Sequence, residues 1–197
     1  MHRLCHFKQH IIGILIWSML LAGCSQVRIS EDESESSQTI VSETLIRFEV
    51  ALPAALQPGE SIILATLDEV SGLAFNQQFI PLQALDPLHY TTTLQVRIGS
   101  VLKYRYLRQG TYTVQEHLPN GQPVRYRMHH VTTQATVTDQ VSRWTDTSYT
   151  GDPGRIYGTI TDNQTNQPIP NLMVTAGGAQ TLTGADGSYL LEEIPPG

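Results

Sequence analysis

Residues 45–52, LIRFEVAL, alternate: Ile46, Phe48 and Val50 fall on one side, and Leu45, Arg47 and Glu49 on the other. A period of two is the signature of a half-buried strand, because successive side chains point to opposite faces of the pleat. The rhythm returns along the chain, punctuated by turn residues. Pro53 and Pro58-Gly59 precede SIILATL; LDEVSGLAF reads as a loop; FIPLQAL is short and interrupted by Pro81, which confines it to a sheet edge. HYTTTLQVRI places Tyr90, Thr92, Leu94, Val96 and Ile98 on one face, and VLKYRYLR follows Gly99-Ser100. Gln109-Gly110 turns into TYTVQEH, Asn120-Gly121 is a hairpin signal, VRYRMHHV and TQATVTD supply further strands, and Val141 to Trp144 closes the series. Beyond DTSYTGDPG, Ile156, Gly158 and Ile160 share a strand face, Asn163 to Gln167 form a polar turn, Leu172, Val174 and Ala176 mark another strand, and Asp186-Gly187 turns before Tyr189-Leu190-Leu191.

Short strands at this spacing, with no amphipathic helical run between them, predict an all-β chain built from antiparallel β-sandwich units, immunoglobulin-like or prealbumin-like. Composition agrees. Of 197 residues, 40% are apolar and 15% charged, enough hydrophobic content for packed cores. In VLKYRYLR, parity separates Lys103, Arg105 and Leu107 from Tyr104, Tyr106 and Arg108. The period alone leaves open which of the two sets is buried.

The N-terminus has a different texture. Arg3 and Lys8 precede the apolar run IIGILIWSMLL, too short to cross a bilayer and suited to the hydrophobic region of a signal peptide. It closes on Leu21-Ala22-Gly23-Cys24, which resembles the lipobox of bacterial lipoproteins. The resemblance implies a leader over 1–23, lipidation of Cys24, and a protein exported and lipid-anchored to the outer face of a bacterial membrane. Residues 24–43, with Glu31, Asp32, Glu33 and Glu35 among serines, then read as a flexible acidic tether. Only Cys5 and Cys24 are present, so a lipidated mature chain has no free thiol and no disulfide. Loss of the leader changes 12 basic and 18 acidic residues to 10 and 18, a net charge of −8, which argues against nucleic acid as a partner.

Two resemblances organise the rest. RIYGTITDNQTNQPIPNLMV followed by TLTGADGSYLLEEIPPG is similar to the start of a carboxypeptidase regulatory-like domain, on Gly158, Thr161-Asp162, Pro168, Val174, Thr183, Asp186-Gly187, Tyr189 and Pro196-Gly197. It implies a small prealbumin-like sandwich over 155–197 after a linker at 146–154. That family normally continues past the Pro-Gly, so this copy is expected to be incomplete. The span 44–145 resembles a starch-binding, family-20 type carbohydrate-binding module. Tyr104-Arg105-Tyr106-Leu107 matches its characteristic strand, which implies that both tyrosines point inward as core; Glu116 matches the glutamate of a Trp-Glu pair, Asn120 an asparagine just beyond, and Val137-Thr138-Asp139 with Trp144 the closing motif. Gln115 stands where that family stacks a sugar on tryptophan, and Phe75 is the only aromatic near the first-half loop.

The resemblance implies a non-catalytic module binding starch or another polysaccharide, with Arg105, Gln115 and Asn120 lining the site and Phe75 or Tyr112 as a substitute stacking face. The residues themselves leave Arg105 open: it can donate to sugar hydroxyls or a uronic carboxylate, or pair across strands with Glu116 or Glu49. Seven cations, Arg97, Lys103, Arg105, Arg108, Arg125, Arg127 and Arg143, read as alternating outward strand positions or as a patch for an anionic glycan or lipid head groups. His89, His117, His129 and His130 lack metal-ligand spacing, and no nucleophile elbow, phosphate loop or cofactor fingerprint appears. No catalytic residue, metal or cofactor is therefore expected. The alternative role is structural, a spacer or adhesion scaffold presenting a downstream domain at the cell surface.

Overall fold

The computed structural model describes residues 42–196; the leader, Cys24 and all but the last two residues of the acidic tether lie outside them. The protein is all-β, with several sheets and no helix among the described residues. One sheet has the order β4-β5-β1-β9, from β1 (Glu43–Ala51), β4 (Gln83–Ala84), β5 (His89–Arg97) and β9 (Ala135–Gln140). The second has the order β10-β7-β6-β2-β3, from β2 (Ser61–Leu67), β3 (Phe79–Pro81), β6 (Val101–Gln109), β7 (Thr113–His117) and β10 (Arg143–Trp144), with β8 (Arg127–His130) also paired to β6.

The alternation read from the sequence is the alternation of burial. Ile46, Phe48 and Val50 of β1 face Ile62 and Leu64 of β2 and Tyr104 and Tyr106 of β6, all essentially inaccessible, in a single core between the sheets. Phe48 meets Tyr104 edge-on at 4.9 Å, and Tyr104 meets Tyr106 the same way at 5.8 Å.

Two features depart from the sequence reading. The sheets are not wholly antiparallel: β9 runs parallel to β1, with Phe48 opposite Val137 and Val50 opposite Asp139. Parallel neighbours come from distant parts of the chain, so no local turn signal announces the pairing. The FIPLQAL segment is also two edges rather than one. β3 borders β2 in one sheet and β4 borders β5 in the other. Leu82 between them is buried, and its amide donates to Ile62 O at 2.9 Å. Pro81, which has no N–H for a ladder, sits where the chain changes sheets.

β6 has an unusual neighbourhood. Its first half pairs with β8, from Val101↔His130 to Tyr104↔Arg127; its last part pairs with β7, from Leu107↔Gln115 to Gln109↔Thr113. Residues 105 and 106 fall in the gap between the two partners.

Residues 154–196 add two ribbons. β11 (Gly154–Thr159) pairs with β14 (Ser188–Ile194), and β12 (Met173–Ala176) with β13 (Ala179–Leu182). The polar turn at Asn163 to Gln167 is organised by Asp162, which accepts the Thr165 and Gln164 amides at 2.8 and 2.9 Å. Those bonds hold its carboxyl below the usual range. A second, smaller core joins these ribbons to the sandwich: Ala179 and Leu191 are buried with Leu118 and Val124, flanked by Val174, Ala176 and Ile194.

Candidate functional site

Tyr104 and Tyr106 lie inside, so β6 turns Arg105 to the opposite, outer face. There Arg105 Nη1 donates to Gln115 Oε1 at 3.0 Å. The Gln115 amide in turn donates to Val124 O at 2.7 Å. The alternatives left open for Arg105 resolve toward neither carboxylate. Glu49 pairs with Arg47 at 2.8 Å, and Glu116 with Arg127. Burial lowers the pKa of the Arg105 guanidinium, against the opposite influence of Glu116. Its Nε is buried with no partner among the described residues. Both ends of the Gln115 side chain are thus taken by the protein itself.

Asn120 sits in the turn after β7, where Gly121 (φ +88°) donates to Leu118 O. Its Oδ1 accepts the Gln122 amide at 2.9 Å and shapes the turn. Phe75 and Tyr112 are exposed, at 62% and 80%, but lie far apart. The β2–β6 register sets Ser61 against Gln109 and Leu67 against Lys103. Tyr112, after Gln109, is therefore at one end of the pair and Phe75, after Leu67, at the other, about 20 Å along the strands. The structure brings Arg105 and Gln115 together and does not gather all five residues at one point.

At the Tyr112 end a cleft of about 540 Å³ opens between the β1–β2 loop and the β6–β7 turn, lined by Gln57, Glu60, Arg108, Tyr112, Val114 and Asp146. Arg108 Nε contacts Glu60 at 3.2 Å, Nη2 donates to Asp146, and the guanidinium lies 5.7 Å from the Trp144 ring centre. A second cleft of about 350 Å³ lies on the far side of Arg108, between Pro53–Leu56 and Gln140–Thr150. Sequence reading singled out Tyr112 but missed Glu60, Arg108 and Asp146. They are distant in sequence, and only the closure of the β1–β2 loop onto the chain leaving β10 joins them.

The largest surprise is internal. Arg127, expected among outward strand cations, is almost wholly buried. Its Nη2 donates to Glu116 Oε2 at 2.8 Å and to Gln140 O at 2.7 Å, and its Nη1 to Asp139 Oδ1 at 3.0 Å. The other Asp139 oxygen accepts both tyrosine hydroxyls, from Tyr104 at 2.7 Å and Tyr106 at 2.9 Å. Glu116 Oε1 accepts the backbone amide of Tyr106 at 2.8 Å, filling the gap left between β7 and β8. Desolvation lowers the pKa of Arg127, but Glu116 and Asp139 outweigh it and raise the guanidinium above its ordinary value. Desolvation raises the pKa of both phenols well above the ordinary tyrosine value, and the Asp139 charge adds to it. Arg127 turns inward because two carboxylates from different strands, Glu116 of β7 and Asp139 of β9, meet its charge there. Glu116 carried a faint signal, since it shares the parity of Val114 in β7.

Among the described residues, no group of three or more His, Cys, Asp or Glu side chains is placed to hold a metal ion. No family model matches the chain, and no curated protein matches it. Solved structures do. A family 15 glucoamylase from Hypocrea jecorina is 19% identical over 52% of this chain and 17% of its own, with a TM-score of 0.38. A gamma-CGTase from an alkalophilic Bacillus clarkii is 18% identical over 51% and 15%, with a TM-score of 0.39. A glucoamylase from Hormoconis resinae is 20% identical over 50% and 17%, with a TM-score of 0.38. The chain thus spans about a sixth of the length of each.

Proposed function

We propose that residues 44–145 form a non-catalytic carbohydrate-binding module for starch or a related glycan, carried by an exported protein anchored through lipid on Cys24. The observation that carries this reading is the cleft at the β6–β7 turn. It combines one broad, exposed phenol, Tyr112, with a fixed set of charged groups, Glu60, Arg108 and Asp146. Sugar recognition needs this pairing: a flat ring under the apolar C–H face of the pyranose, and rigid hydrogen-bonding groups for its hydroxyls. Arg108 is held by two carboxylates, so its geometry is set before any ligand arrives, which reduces the ordering cost of binding. The resemblance of residues 101–144 to starch-binding modules supports the same reading.

Titration of the full chain with soluble starch, cyclodextrin and an acidic polysaccharide tests it. Saturable binding is expected for at least one neutral glucan, and Tyr112→Ala should weaken it about 10-fold, or about 1.4 kcal/mol. No heat and no chemical-shift change with any of the three ends the proposal. The anchor is tested separately: incorporation of a fatty-acid analogue should be lost in Cys24→Ser, and equal labelling of both forms argues against it.

One set of observations favours the structural alternative, a spacer or scaffold. Gln115 supplies no stacking surface, and its amide is engaged with Arg105 and Val124. A chain that binds no glycan while keeping the fold belongs to that second class.

A further inference from the structure

We propose that residues 154–196 hold their fold only when docked on the sandwich, and that the surface formed by Leu118, Val124 and Tyr126 is the docking surface for this segment of the same chain. The inference stands apart from the glycan reading, which concerns the cleft lined by Glu60, Arg108, Tyr112 and Asp146.

The C-terminal segment lacks what it needs to fold alone. Its strands make two ribbons of two strands each, and an isolated two-stranded ribbon is marginal in water. Half of its large apolar side chains remain exposed, Ile156, Tyr157, Leu172, Leu182 and Leu190 among them. The two that are buried in its strands, Ala179 and Leu191, are buried together with Leu118 and Val124 of the sandwich. Without those partners the segment has almost no interior.

The contact is also fitted in detail. The turn joining β12 to β13 carries Gly177 and Gly178 at φ +58° and +88°. A Cβ on Gly178 would stand 2.9 Å from a Val124 methyl carbon, so only glycine lets the backbone seat there. The Gln180 side chain donates to Tyr126 O at 2.7 Å, and the Tyr126 hydroxyl contacts Met173 Sδ at 3.6 Å. Tyr126 is itself immobilised from the other side. The Lys103 ammonium lies 4.9 Å from its ring centre, and Gly72 in the β2–β3 loop comes so close that a Cβ there would lie 2.5 Å from the ring. Val124 is tied to β7 through the Gln115 amide and through its own N–H to Glu116 O at 3.2 Å. The face therefore presents a rigid apolar seat, and its neighbouring polar groups, Arg105 and Gln115, are turned toward each other.

Amide hydrogen exchange on the full chain decides the matter. Val124→Asp changes nothing within 154–196, yet it places a charge in the seat. Protection across residues 173–194 should fall about 100-fold while the amides of β1, β2 and β6 keep theirs. Val124→Ser, a milder change that keeps the sandwich folded should the aspartate prove too disruptive, should give a loss of about 10-fold confined to the same residues. Unchanged protection of 173–194 in the serine variant means that the segment folds by itself and overturns the proposal. A uniform loss throughout the chain in that variant means that no separable docking step exists, and overturns it equally.

Discussion

Replacing Arg127 with methionine should lower the unfolding free energy by about 3–5 kcal/mol, read as a shift of the urea midpoint at unchanged slope. The size follows from what is left behind. Glu116 is fully inaccessible, and the Tyr106 amide would be its remaining donor. Asp139 would keep its two phenol donors but lose the cation facing it. An uncompensated buried charge costs more than the pair ever contributed, because the water removed from both ions is not returned when only one is deleted. The double variant Arg127→Met/Glu116→Leu should therefore be more stable than the single one, a coupling opposite in sign to simple addition. A single variant within about 1 kcal/mol of the parent would show that water or a side-chain shift compensates Glu116, and that the network does not join the sheets as its geometry implies. The join is worth stating in structural terms: Asp139 lies on β9 in one sheet, while Arg127, Glu116 and both tyrosines lie on strands of the other.

Stability should fall steeply above pH 10. Tyr104 and Tyr106 are held protonated, first by burial and then by the Asp139 charge, so their folded pKa values lie well above 10.0, the ordinary value. A phenol with a raised folded pKa contributes stability that is fully present below its unfolded pKa. Above that value the unfolded chain releases its protons while the folded chain retains them. Stability then declines with rising pH until the folded phenols also ionise. Two such groups give a slope approaching about 2.7 kcal/mol per pH unit beyond pH 10. Urea unfolding between pH 8.5 and 11.5 measures it. Tyr104→Phe should reduce the slope by about half, at the cost of one donor to Asp139. A flat profile through pH 11 would mean that both hydroxyls reach solvent, contrary to their burial.

Much of this protein is legible one residue at a time. The period-two alternation of LIRFEVAL and HYTTTLQVRI determined which side chains form the core, because a strand with one wet and one dry face has a single register that buries its apolar set. Pro81 marked a sheet edge, and Asn120-Gly121 a turn, for reasons of backbone sterics that need no partner. Parity put Tyr104 and Tyr106 on one face of β6 and Arg105 on the other, without saying which face is buried. What the tertiary structure decided is everything that depends on two distant segments meeting. The parallel pairing of β9 with β1, the inward turn of Arg127 toward Glu116 and Asp139, the Glu60–Arg108–Asp146 cleft and the seating of Gly178 on Val124 all have this character. Burying a charge or a polar amide is unfavourable until a complementary group arrives from elsewhere in the chain. Its position is therefore a property of the assembled fold, and an alternation pattern, which weighs each residue against water alone, reads Arg127 as outward.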